Sequence, residues 1–120
     1  MSYDIGIYHP TVRSRVESGE EIDGFDHPQI DSAAVARFVE SLATYGYKPQ
    51  PSTPDCREFL KLVSGNPIQV HIFTTEIAFS VPYGNNSKDA TFEALQDASE
   101  LLEHEHMSLF DPQSGGWADA

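Results

Sequence analysis

Asp89, Glu93, Asp97, Glu100 and His104 are spaced 4, 4, 3 and 4 residues apart, and Glu103 lies alongside. On a helix this spacing makes one continuous row, because residues three and four apart are surface neighbours. At about 1.5 Å per residue the row is roughly 22 Å long. Residues 89–120 hold eight acids and no lysine or arginine. Such a row works against its own helix. Each like-charged pair at i,i+4 costs roughly 0.2–0.5 kcal/mol, and Glu100 and Glu103 sit near the negative helix pole. It is either a plainly solvated face or a docking face for a basic partner, whose approach the charge would accelerate.

Two further groups carry chemistry in principle. Cys56 falls in the first turn of an expected short helix, where the helix N-terminus lowers a thiol pKa; neighbouring Asp55 and Glu58 act in the opposite sense. Glu100 and His104, one helical turn apart, can share a ligand, but His104 and His106 point to different helix faces. The two-histidine zinc-protease spacing is missing, so no metal site is expected, and no cofactor. His71, between Val70 and Ile72, is read as a structural residue on the exposed side of a sheet. A phosphate-cradling glycine loop and a nucleophile elbow are both lacking. Glu17, Glu20, Glu21, Asp23 and Asp26 form a second acidic cluster, placed in a loop.

The whole composition narrows the classes. The 120 residues carry 19 Asp+Glu against 7 Lys+Arg, a formal net charge of −12. Nucleic acid and anionic membrane both demand basic surface, so neither is an expected partner. No apolar run approaches the roughly 18 residues that span a bilayer. A single cysteine leaves no intrachain disulfide. The opening residues lack the basic and apolar regions of a secretory signal, which gives a cytoplasmic expectation.

The elements that must position these residues are readable from periodicity. Tyr3, Ile5 and Ile7 alternate with Asp4, Gly6 and Tyr8 as a half-buried strand. Thr11 to Val16 forms a short helix. Ile22 and Phe25 pin the acidic loop that follows. A helix from about Ser32 to Tyr45 starts on Asp31 or Ser32 as cap, presents Val35, Phe38, Val39 and Leu42, and ends at Gly46. Tyr47 folds back on Leu42. Lys48 to Pro54 is a proline-rich connector, and Thr53-Pro54 opens a short second helix to about Val63 with Phe59, Leu62 and Val63 inward. Pro67 to Pro82 alternates as a hairpin turning near Thr74-Thr75, or as one long bulged strand. The last helix runs from Ser87 to about Glu105 with Phe92, Leu95, Ser99 and Leu102 towards the core and Ala98 and Leu101 beside them. Met107 to Phe110 is a final strand. Together these predict one domain over residues 1–120, an α+β fold with a four-stranded, mostly antiparallel sheet. Its helices lie on one face, in a ferredoxin-like βαββαβ order with an extra short helix.

Val81-Pro82-Tyr83, the acidic amphipathic helix, Leu109-Phe110-Asp111-Pro112-Gln113 and Trp117 resemble segments of small bacterial α+β proteins of unassigned function. Some immunity proteins encoded beside polymorphic toxins are among these. The resemblance covers about residues 77–117. It implies a bacterial protein that inhibits by binding and has no catalytic residues. The leading expectation is therefore a non-catalytic, immunity-like inhibitor of a basic protein, such as a nuclease toxin. Its partner-binding residues would be Asp89, Glu93, Asp97, Glu100, Glu103 and His104, on a monomer or homodimer. Two other classes stand beside it: an acidic secretion chaperone, and a small enzyme using Cys56 or the Glu100–His104 pair.

Overall fold

The computed structural model describes residues 2–84, 87–103, 105–113 and 116–118. Its elements are β1 (Ser2–Tyr8), α1 (Pro10–Glu17), α2 (Ser32–Thr44), β2 (Lys48–Thr53), β3 (Cys56–Val63), β4 (Asn66–Ile72), β5 (Glu76–Pro82), α3 (Ser87–Leu101), β6 (Ser108–Asp111) and β7 (Gly116–Trp117). The α+β class is as expected, but the sheet has seven strands in the order β2-β3-β4-β5-β1-β6-β7, every pairing antiparallel. The four-stranded ferredoxin-like arrangement is thereby replaced.

The largest departure lies at residues 48–63. The proline-rich connector is edge strand β2, and the expected short helix is β3, paired with β4 from Arg57↔Ile72 to Val63↔Asn66. Proline is tolerated in β2 because an edge strand has only one neighbour to bond. In β3 the two-residue alternation is disguised. Lys61 occupies an inward position beside Phe59 and Val63, while Leu62 points out and is 66% exposed. Phe59, Leu62 and Val63 then happen to fall at helical spacing.

Around α2 and in the β4–β5 hairpin the local signals hold. The β4–β5 hairpin turns at residues 73–75, closed by Phe73 N–H donating to Glu76 O at 2.8 Å. Asp31 accepts from Ala33 N–H at the start of α2. Gly46 has φ +91°, a left-handed conformation that favours glycine, and Tyr47 N–H then returns to Leu42 O at 3.1 Å.

One sheet face carries the core. Tyr3, Ile5 and Ile7 of β1 stand opposite Val81, Phe79 and Ile77 of β5, which continue into Ile68, Val70 and Ile72 of β4. Helices α2 and α3 pack over it: Phe38 and Tyr47 meet Phe79 edge-on, at centroid distances of 6.2 and 6.0 Å. On the opposite face Tyr8 lies over Gly6, where a Cβ would come within 2.6 Å of the tyrosine ring. Tyr8 also packs edge-on against His27 of the acidic loop and Trp117 of β7. Asp111, buried at the end of β6, accepts from the Tyr3 hydroxyl at 2.8 Å and from Gln113 N–H at 3.1 Å. The Asp-Pro-Gln turn is thus a structural joint between β1 and β6. Among the described residues no helix is long and apolar enough to cross a membrane.

Candidate functional site

The acidic row sits on α3, but four-residue steps wind it around the helix. Four residues advance about 400°, so each step rotates the side chain about 40° past a full turn. Asp89 is exposed, with the Ser64 hydroxyl donating to it at 3.3 Å. One step on, Glu93 is partly covered and meets Lys61 Nζ at 2.8 Å. A second step carries Asp97 into the interior, 5% exposed. There it accepts from Lys61 Nζ at 2.8 Å and from the Tyr47 hydroxyl at 2.9 Å. The three-residue step then turns Glu100 back to solvent, where the Tyr45 hydroxyl donates to it at 3.3 Å. Glu103 is exposed just beyond the helix, which ends at Leu101 rather than near Glu105. His104 lies outside the described residues, so the Glu100–His104 pair has no geometry to assess.

Asp97 is therefore corrected from a surface ligand to a buried anchor. Lys61 lies between Glu93 and Asp97, with its ammonium 5.2 Å from the centre of the Tyr47 ring. Burial pushes this ammonium down, but hydrogen bonds and attraction from Asp97 and Glu93 outweigh it and leave its pKa above the ordinary value. Burial first, then the Asp97 charge, pushes the Tyr47 phenol well above its usual range. The network joins β3, the segment after α2, and α3. The sequence hid it because Lys61 sat in the wrong expected element.

The core face of α3 differs in part from the one expected: Ala98 and Leu101 are buried as placed, Phe92 and Ser99 are not. Ala90, Ala94, Asp97, Ala98 and Leu101 are buried, whereas Phe92 is 71% exposed and Ser99 is exposed. Small alanines let the helix lie close to the sheet, and the Lys61 anchor fixes its rotation. The expected Leu95 and Leu102 do pack against the core from the side, and counting large hydrophobes errs at Phe92.

The other candidate groups remain apart from this row. Cys56 opens β3, not a helix, so no helix N-terminus faces it. Burial, then the Glu58 charge, raises its thiol pKa, against a lowering backbone hydrogen bond from Ile72. A less available thiolate is the opposite of what nucleophilic catalysis uses. His71 lies on the uncovered sheet face, with Nε2 3.4 Å from Glu58 Oε1 and its ring stacked on Phe73. Among the described residues no three His, Cys, Asp or Glu side chains converge as a metal site. In the loop, Glu20 binds Arg15, whose guanidinium lies 4.0 Å from the centre of the Phe25 ring, so Phe25 does help pin this segment.

The basic residues are mostly committed to the architecture. Arg13 meets Glu17, Arg15 meets Glu20, Arg37 meets Glu105, and Lys61 meets Glu93 and Asp97. Among the described residues Glu100 and Glu103 form no ion pair with a lysine or arginine. Comparison with known proteins brings no match: no family model fits the chain, and no curated protein or solved structure aligns with it significantly.

Proposed function

We propose that this is a non-catalytic binding protein of the bacterial cytoplasm, an immunity-like inhibitor that docks a basic protein, such as a nuclease toxin. Its binding residues are the outward acids of α3 and its extension: Asp89, the exposed part of Glu93, Glu100 and Glu103. The observation that carries this reading is the pair Glu100 and Glu103. Both are exposed at the negative pole of α3, where carboxylates cost stability, and neither meets a lysine or arginine among the described residues. A helix shaped only by stability would place a cation there. Asp97 leaves the binding set because Lys61 and Tyr47 occupy its carboxylate.

The test uses the full chain and a basic partner recovered from the native host and purified. Charge reversal at Asp89, Glu100 and Glu103 to lysine should slow association by about tenfold or more at low salt, an effect that shrinks as salt rises. An association rate that is unchanged and insensitive to salt refutes the proposal.

A further inference from the structure

A cavity of about 300 Å³ opens between α1, the end of α3 and β6. Buried Leu109 floors it, and Leu102 and Met107 add apolar wall. The exposed Glu103 and Ser99 also line it, with Ser108. We infer that this cavity receives a lysine or arginine side chain of the basic partner, its aliphatic stem on the apolar wall and its cationic head at Glu103. The inference rests on the binding reading above and adds one pocket at the end of that interface.

The charges around the cavity favour a cation over other occupants. Arg13 lines it, but its guanidinium is held by Glu17 at 3.3 Å and by the Ala118 carbonyl at 3.3 Å. Glu105 also lines it and is gripped in bidentate fashion by Arg37, at 2.8 and 2.9 Å. Those two charges are therefore balanced within the chain, whereas Glu103 is not. An anionic occupant would meet Glu103 in a molecule already at −12. A purely apolar one would cover Glu103 without compensating it, which is unfavourable. Lysine and arginine stems bury readily while their heads stay at a polar rim.

The experiment follows backbone amide resonances of the full chain while adding N-acetyl-arginine methylamide. N-acetyl-norleucine methylamide and N-acetyl-glutamate methylamide serve as apolar and anionic controls. The arginine probe should give saturable shifts at Ser99, Leu102, Met107 and Ser108, with a Kd in the millimolar range expected for one side chain. Norleucine should bind about threefold more weakly, the worth of an exposed ion pair, and glutamate should not bind. Glu103→Gln should weaken the arginine probe by the same factor. Ser99→Trp, introduced at an exposed helix position, should fill the cavity and abolish the shifts. Absence of shifts at tens of millimolar, or equal binding of arginine and norleucine, overturns the inference. With the purified partner the two proposals separate. An affinity lowered by Glu100→Lys and Glu103→Lys but untouched by Ser99→Trp overturns the cavity alone. A partner indifferent to charge reversal overturns the wider reading.

Discussion

Replacing Asp97 with alanine tests where the acidic row ends and the interior begins. Were Asp97 one of a line of exposed acids, its removal would relieve repulsion from its neighbours and stabilise the protein by a few tenths of a kcal/mol. The structure demands the opposite sign. The Asp97 side chain is 7% exposed and accepts from both Lys61 and Tyr47. Alanine leaves the Tyr47 hydroxyl without its acceptor, which costs about 1–3 kcal/mol for a buried group. Breaking a buried ion pair outright costs about 3–5 kcal/mol. That figure is too large here, because Lys61 keeps Glu93 at 2.8 Å and its side chain is 15% exposed. The two effects share atoms and do not add, so a loss of about 2–4 kcal/mol is expected. With a urea m-value of about 1–3 kcal/mol/M for a domain of this size, the unfolding midpoint should drop by roughly 1–2 M. Asp97→Asn keeps an acceptor for the phenol and loses the charge, so it should fall between wild type and alanine. Pairing Asp97→Ala with Lys61→Met in a double-mutant cycle should give clear non-additivity. A midpoint that stays or rises in Asp97→Ala would refute the buried network and return Asp97 to the surface.

Two further outcomes are expected. Burial first, then nearby carboxylates, raises the phenols of Tyr3, Tyr8 and Tyr47 far above their ordinary value of 10.0, and Lys61 is also raised. Folded values above unfolded ones confer stability that is complete below about pH 10 and lost as pH climbs further; thermal melts should therefore fall from pH 9 to pH 11.5, and part of the tyrosinate absorbance should appear only as the protein unfolds. All five tyrosines titrating smoothly in the folded state near pH 10 would contradict this. At Phe92, which is 71% exposed, glutamine should shift unfolding stability by no more than about 0.5 kcal/mol, whereas Leu42→Ala in the fully buried core should cost about 2–5 kcal/mol; a loss above about 1 kcal/mol at Phe92 would mean its ring is packed.

What was legible in the sequence, and what was not, follows from which residues face inward. Strand β1, helix α2 and the β4–β5 hairpin place apolar side chains on the core and polar ones elsewhere, so periodicity finds them. Helix α2 is also bounded by local chemistry, with Asp31 at one end and Gly46 at the other. Strand β3 fails this test because an inward lysine and an outward leucine reverse the pattern at two successive positions. The rotation of α3 fails for the related reason that its inward positions are three alanines, an aspartate and a leucine. The spacing of its acids was legible; the 40° drift that divides them was not usable until Lys61 had a place. Both errors share one cause: the inward charge on β3 and the inward charge on α3 are partners, and neither makes sense without the other.

That partnership also explains where the net charge comes to rest. Three of the paired cations join two segments: Lys61 links β3 to α3, Arg37 links α2 to the chain after α3, and Arg15 links α1 to the acidic loop. With seven lysines and arginines against 19 acids, cations placed at these joints leave few to compensate the outward acids. Stability alone does not account for Glu100 and Glu103 being acids at that point, because the α3 terminus would be better served by neutral or basic residues. The row is thus divided by geometry into a covered, paired part and an exposed part. Glu93 and Asp97 hold the helix against the sheet through Lys61, while Glu100 and Glu103 stay exposed and Glu103 lines the cavity at the end of α3.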